Sequence, residues 1–394
     1  MPTPTDSPLI NALKPTARSL PESGILRVFN HGRNKDGLIP LWAGEGDLPT
    51  PPFITDAAAR SLAAGETFYT ANRGIPDLRA SLARYHERLY GQPFSAERFF
   101  VTGGGMQAIQ IALQITVGAG DEVIVPSPAW PNFEGAVRIQ GASVVYVPML
   151  LSPAGWTLPL DALFAAVGPR TRAIVINSPA NPTGWVASAD ELKAILKFAR
   201  SRGLWIIADE IYGRFSFETP VAPSFHAFLE PDDRVLFVNT FSKNWAMTGW
   251  RIGWIEAPPT LGPIIESHIQ YNTSGVATFM QRGAIAAIEE GEPFYAEQVA
   301  RARRGRDVVT TALAGLNGVR YVPPAGAFYA FFSVDGIGDT MEAALRMVDE
   351  AAIGLAPGTA FGPGAEGCFR VCFLRSEKPL GEAMQRLAGW LRSR

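Results

Sequence analysis

The segment Asn239-Thr240-Phe241-Ser242-Lys243-Asn244-Trp245-Ala246-Met247-Thr248-Gly249-Trp250-Arg251 sets one lysine among hydroxyl and aromatic side chains, with an arginine at its end. An amine in such a setting loses hydration, and burial lowers its pKa because it disfavours the charged form. A neutral amine attacks carbonyl carbon and forms a Schiff base, so Lys243 reads as a nucleophile for carbonyl chemistry. Lysine is scarce here: the chain holds Lys14, Lys35, Lys193, Lys197, Lys243 and Lys378 and no others. Lys193 and Lys197 lie one helical turn apart on a face that reads as solvated. The bland alternative for Lys243, an exposed lysine on a loop, fits poorly with Trp245, Met247 and Trp250 around it.

Other stretches carry compatible chemistry. Gly103-Gly104-Gly105 precedes an amphipathic run, and backbone amides at a helix N-terminus bind anions where glycine lets a phosphate approach. The same glycines also read as plain turn geometry. Asn177-Ser178-Pro179-Ala180-Asn181-Pro182-Thr183-Gly184 follows a strand. It reads either as a turn with capping asparagines or as a rigid loop presenting an amide to a ligand oxygen. In Ala208-Asp209-Glu210-Ile211-Tyr212 an acid leaves the apolar run Leu204 to Ile207, and a buried acid needs a partner such as a protonated ring nitrogen. Tyr212 would reach the phenolic oxygen of the same ring. A capping aspartate and a core tyrosine are the alternative. Thr240, Ser242 and Arg251 suit a phosphate through hydroxyl and bidentate guanidinium contacts. Together these parts describe a pyridoxal phosphate (PLP) site.

The elements that must position them follow from hydrophobic patterning. Phe99–Thr102, Glu122–Val125, Val144–Val147, Ala173–Asn177, Leu204–Ala208, Val235–Asn239 and Arg251–Ile255 read as buried strands. Several are nearly continuous Val/Ile runs, as in a sheet covered on both faces. Helices are expected over Met106–Thr116 and Asp190–Arg202, the second stopped by Gly203. The pattern predicts an α/β fold with a mainly parallel sheet sandwiched by helices. Beyond Gly291, helices over Pro293–Leu316, Thr340–Ala352 and Leu380–Arg392 alternate with strands at Ala327–Val334, near Leu355 and at Phe369–Leu374. That order predicts a large domain over 48–290 and a smaller α+β domain from 1–47 and 291–394.

Bulk numbers exclude several classes. The 394 residues are 47% hydrophobic and 18% charged, with net charge −2, as in a globular protein and without the basic stripe of a nucleic-acid binder. No apolar run is long enough to span a membrane, and Met1–Pro8 lacks a signal-peptide layout. Cys368 and Cys372 read as core residues of a reduced, cytoplasmic protein.

With Asn-Pro-Thr-Gly, Asp-Glu-Ile-Tyr and Ser-Lys…Met-Thr-Gly-Trp-Arg, the chain from about Leu38 onward resembles the fold-type I PLP-dependent aminotransferases, the aspartate aminotransferase superfamily. The resemblance implies that Lys243 carries PLP as a Schiff base and that Asp209 pairs with the pyridine nitrogen. Asn181 and Tyr212 would bond the cofactor's 3-oxygen, and Trp130, in Ser127-Pro128-Ala129-Trp130, would stack on the ring. Gly104, Gly105, Met106, Ser242 and Arg251 would surround the phosphate. Tyr69, in Phe68-Tyr69-Thr70, would reach the phosphate of a neighbouring subunit, implying a homodimer. Arg370 would clamp the substrate α-carboxylate, with backbone contact from Gly44. The implied reaction is ping-pong transfer of an amino group from an L-amino acid to a 2-oxo acid.

The chain departs from that pattern in places. Gly46 and Leu48 stand where many relatives carry proline and an aromatic residue. Met106 stands where some acid-specific relatives carry lysine, and residues 270–274 lack the arginine of dicarboxylate-specific ones. Trp42, Tyr271, Phe328 and Tyr329 are therefore expected to shape a pocket for neutral or aromatic side chains. Three rivals remain: a β-eliminating C–S lyase of the same fold; a non-catalytic PLP-sensing regulator, which normally adds a DNA-binding segment not recognisable in the first forty residues; and a nicotinamide enzyme, which lacks spaced glycines and leaves Lys243 without a role.

Overall fold

The computed structural model describes residues 7–393. Its centre is a seven-stranded sheet: β1 (Phe99–Thr102), β2 (Glu122–Ser127), β3 (Ser143–Pro148), β4 (Thr171–Asn177), β5 (Trp205–Asp209), β6 (Val235–Thr240) and β7 (Gly253–Glu256). Their spatial order is β1-β7-β6-β5-β4-β2-β3. β7 runs antiparallel to both neighbours and the remaining pairs are parallel, so the carboxyl ends of β1, β4, β5 and β6 share one edge.

Alternation along the strands explains the two-sided core. Ala173 and Val175 of β4 join Val125, Ile207 and Leu236 on one face, against Ile109 and Leu113 of the helix Gly105–Gln114. Ile174 and Ile176 join Ile124, Ile206 and Phe237 on the other, against Leu192, Ile195 and Ala199 of the helix Ala189–Arg202. Each fully buried Val, Leu, Ile or Phe among them stabilises by about 1.5–3 kcal/mol. The helix Ala189–Arg202 is bounded as its sequence requires. Ser188 and Glu191 form a reciprocal capping box, and Gly203 at φ 65° ends the helix in the left-handed conformation.

The last predicted strand is shorter than expected. It begins at Gly253, because Arg251 adopts φ 51° and turns out of the extended conformation. The next helix expected, Pro293–Leu316, is Glu292–Leu313, and the strand expected from Ala327 starts at Tyr329.

Beside the large sheet lies a four-stranded antiparallel sheet in the order Val319–Arg320, Tyr329–Val334, Cys368–Cys372, Ala356–Pro357. Ile39–Pro40 pairs in parallel with Ile353–Gly354, so both ends of the chain enter one packed body. Val28, Leu41 and Trp42 share its core with Val309, Phe332, Met347, Phe369 and Leu387. Among the described residues no helix is long and apolar enough to cross a membrane.

Candidate active site

Between the sheet edge and the smaller body lies a cavity of about 580 Å³. Four strand ends supply its floor: Gly105 and Met106 after β1, Asn177 and Asn181 after β4, Asp209, Ile211 and Tyr212 after β5, and Thr240, Ser242 and Lys243 after β6. Arg251, Trp130, Gly44 and Arg370 complete it.

Lys243 Nζ donates to the carbonyl of Gly44 at 2.7 Å. Burial, helped by the Arg370 and Arg251 guanidinium groups and opposed by Cys372 and Glu45, lowers its pKa to about 8. A sizeable fraction of the amine is therefore neutral near physiological pH, which is the state a carbonyl nucleophile needs.

Asp209 is 1% exposed. Burial raises its pKa to about 7, against the opposing pull of the Ile211 N–H and the Lys243 charge. Its Oδ1 accepts from Ile211 N at 3.3 Å, whereas Oδ2 has no hydrogen-bond partner. Asn177 steadies the strand end: its Nδ2 donates to the Asp209 carbonyl at 3.1 Å and its Oδ1 accepts from Asn181 N at 2.8 Å.

Arg370, also buried, is held on three sides. It donates to Asn181 Oδ1 at 2.8 Å and to the Trp42 carbonyl, and its guanidinium lies 4.5 Å from the Tyr329 ring centroid. Two of the five guanidinium N–H groups are used, and Nε is unpartnered, so donors remain for a carboxylate. Asn181, which lines the cavity, thus has its Oδ1 taken by Arg370. Tyr212 OH lies 2.6 Å from Tyr329 OH.

At the opposite end the glycine turn meets Arg251. Gly104 has φ 87°, and a Cβ there would come within 2.6 Å of Arg251 Nη2. Only glycine lets the guanidinium lie over the turn. Arg251 Nη1 donates to the Thr248 carbonyl at 2.7 Å, and Thr240 Oγ1 donates to Ser242 Oγ at 2.9 Å. Backbone amides at the start of a helix, a serine hydroxyl and a guanidinium make an anion cradle.

A family model for class I and II aminotransferases matches residues 36–387. The chain belongs to this family. It is 35% identical to a probable aspartate/prephenate aminotransferase of Aquifex aeolicus (strain VF5), over 89% of this chain and 90% of that one. Among solved structures, Thermus thermophilus aspartate aminotransferase with maleate superposes with a TM-score of 0.89 at 33% identity, over 96% of this chain and 99% of that one. An aromatic aminotransferase from Pyrococcus horikoshii OT3 gives 0.85 at 31% identity, over 93% and 99%.

This aminotransferase depends on PLP, and its residues suit that cofactor. The orphaned Oδ2 of Asp209 provides an acceptor for a protonated ring nitrogen, and Gly105, Ser242 and Arg251 line the cavity and suit a phosphate, while Gly104 is outside the lining, against the Arg251 guanidinium.

Tyr69, expected to act on a neighbouring subunit, is 94% exposed on its own chain. Tyr271, expected to shape the pocket, is 91% exposed and does not line the cavity. Phe328 does not line the cavity either; it packs edge-on behind Tyr212 at 5.2 Å. Of the four aromatics expected to shape the pocket, Trp42 and Tyr329 do line it.

Patterning missed the helix Gly24–Gly32, whose Ile25, Leu26 and Phe29 line the cavity mouth. Its signal was present: Ser23 caps Leu26 N, and apolar residues recur at helical spacing just after it. Proline-rich surroundings obscured that period.

Proposed function

We propose that this aminotransferase moves the amino group of a neutral or aromatic L-amino acid to a 2-oxo acid by a ping-pong route. One observation carries the substrate class. The cations lining the cavity are Lys243, Arg251 and Arg370, and each has work common to every amino acid. Much of the remaining lining is apolar, with Ile25, Leu26, Phe29, Trp42 and Trp130, and its other polar members Ser23, Asn132, Thr248 and Glu45 carry no positive charge, so an apolar side chain is suited and a distal carboxylate finds no further cation.

The residues divide the work. Arg251, Ser242, Met106 and the amides at Gly104 and Gly105 would hold the phosphate, Trp130 would cover the ring, and Asn181 and Tyr212 would bond its 3-oxygen. Asp209 Oδ2 keeps the ring nitrogen protonated. When bound, PLP supplies an electron sink for the pair left at Cα. Arg370 fixes the α-carboxylate and so holds the Cα–H bond in one orientation. Lys243 Nζ, which first holds the cofactor, is then the base nearest the Cα proton. Tyr69 serves the phosphate of a second subunit in a homodimer, which accounts for an exposed tyrosine beside exposed Phe68. The division into 48–290 and the two chain ends places the cavity between the domains.

The test is a comparison of kcat/KM for phenylalanine, methionine, alanine and aspartate, with pyruvate or 2-oxoglutarate as acceptor. Phenylalanine or methionine should exceed aspartate, with a keto acid formed for each amino acid consumed. Aspartate far above the others overturns the substrate class, and ammonia plus pyruvate released from cystathionine without added acceptor overturns transamination in favour of β-elimination.

A further inference from the structure

On the side of β5 away from the cavity lies a buried chain of proton-bearing groups that the reaction does not touch. Glu210 follows Asp209, and its carboxylate oxygens lie 2.8 and 3.0 Å from Ser224 Oγ. Ser224 Oγ is 2.7 Å from His226 Nδ1 and accepts His226 N at 3.2 Å. His226 Nε2 is 2.6 Å from Glu256 Oε2, and Glu256 Oε1 accepts from Arg98 Nε at 2.9 Å. Glu210, His226 and Glu256 are all buried. The imidazole is stacked on Phe237 at 3.9 Å and tilted against Tyr90 at 4.3 Å, two aromatic faces that favour a cation between them.

Counting protons leaves two arrangements. Ser224 has one hydroxyl hydrogen and takes the His226 amide in both. In the first, His226 carries both ring protons, Nδ1–H donates to Ser224, and Ser224 donates to an ionised Glu210. In the second, Glu210 is protonated and donates to Ser224, Ser224 donates to Nδ1, and Nε2–H still donates to Glu256. They differ by one proton passed through the Ser224 hydroxyl, with every bond kept.

The cluster does not suit a metal. Donor atoms of His86, His226 and Glu256 lie within 4.8 Å of one another. Yet Trp254 Nε1–H donates to His86 Nε2 at 3.2 Å, which leaves the proton on Nδ1, the atom facing Glu256, and Arg98 holds the other carboxylate oxygen.

We propose that His226 is a positioning residue: by keeping one proton or passing it through Ser224 to Glu210, it sets the charge directly behind Asp209 and hence that carboxylate's basicity toward the cofactor ring. The inference rests on the reading of Asp209 as the ring nitrogen's partner. The groups facing His226 are Glu256, Glu210, Arg98, His86 and Tyr90. Burial and the Glu256 charge push Glu210 up, to about 7, while His226, Ser224 and Tyr90 pull it down. An ionised Glu210 raises the Asp209 pKa; a protonated one releases it.

The experiment is an absorbance titration of the bound cofactor against pH in wild type, Glu210→Gln, His226→Gln and the double variant. Glu210→Gln mimics the protonated acid and should move the midpoint to lower pH by about one unit, the effect of a unit charge at roughly 10 Å and an effective dielectric of about 20. His226→Gln leaves Glu210 without its cation, so Glu210 takes up a proton and the midpoint moves the same way. The double variant should show no more than the single shift, because both act through one charge. An unmoved midpoint in Glu210→Gln overturns the proposal even if His226→Gln fails to fold, and so does an additive double variant. In the protein without cofactor, 15N shifts of the four histidines should show His226 taking a second ring proton as pH falls, and a ring that stays neutral down to pH 5 overturns it. Asp209→Asn separates the two readings. An unchanged cofactor spectrum in that variant sinks the ring-nitrogen assignment and the relay with it, whereas a changed spectrum there beside an unmoved Glu210→Gln sinks the relay alone.

Discussion

At the scale of single residues the site works by denying groups their preferred solvation. Lys243 is held near a pKa of 8 by burial and two guanidinium groups, with its amine on the Gly44 carbonyl. Capture of PLP by the apoprotein should therefore speed up as pH rises toward about 8 and level off above it, since only the neutral amine attacks; stopped-flow absorbance would read this, and a rise centred near 10 would mean an unperturbed lysine. Lys243→Ala should remove the base and cut turnover by roughly 10²–10⁴-fold or more while PLP still binds non-covalently, which borohydride treatment and peptide mapping would check. Arg370→Ala should raise KM for every amino acid alike, by roughly 10–100-fold, as expected for losing charge-assisted bonds of about 1.5–3 kcal/mol to a common carboxylate. An effect confined to one amino acid would instead place Arg370 at the side chain. A Cβ at Gly44 would collide with the Tyr329 hydroxyl. Gly44→Ala should therefore disturb both the Lys243 anchor and the Tyr212–Tyr329 pair, lowering PLP affinity with little change in the far-UV spectrum.

At the scale of elements, strands and helix ends obey local rules. The boundaries of β1 were readable from an apolar run followed by glycine, and the end of the helix Ala189–Arg202 from Gly203, while its start, expected at Asp190, is set one residue earlier by the Ser188–Glu191 capping box. Removing that cap with Ser188→Ala should cost about 1 kcal/mol, seen as a lower urea midpoint with turnover unchanged. The early start expected for β7 had a local cause. Arg251-Ile252 looks like strand sequence, but Arg251 is held at φ 51° where its side chain reaches the glycine turn, and propensity yields to that contact. The apolar stripe of helix Gly24–Gly32 meets the cavity and the smaller body, surfaces that exist only once the chain has folded.

At the scale of the whole molecule, long-range contacts close distant segments of the chain onto one another. Asp47 pairs with Arg301 at 2.5 Å and accepts from Ser376 N at 2.7 Å, tying the loop after Gly44 to the later part of the chain. Arg214 pairs with Glu292 at the start of the long helix and lies 3.6 Å from the Tyr295 ring centroid. Exposed Phe68, Tyr69 and Tyr271 lie outside this closure. Sedimentation equilibrium should give twice the 42.5 kDa chain mass, and Tyr69→Phe should weaken PLP retention by about tenfold, a hydrogen bond to a charged group. A monomer that keeps PLP and full activity would refute the shared-site assignment.

Sequence alone determined the parts whose chemistry is local: the strand runs, the glycine turn, and the acid and lysine at strand ends, because burial patterns and turn residues act over a few positions. Tertiary structure decided what depends on distant neighbours. It set Asn181 against Arg370 across 189 residues, gave Tyr212 its partner in Tyr329, turned Phe328 away from the cavity and brought Leu26 and Phe29 to its mouth. No periodicity encodes such pairings; they arise when the sheet edge and the two chain ends are brought together by shared apolar burial.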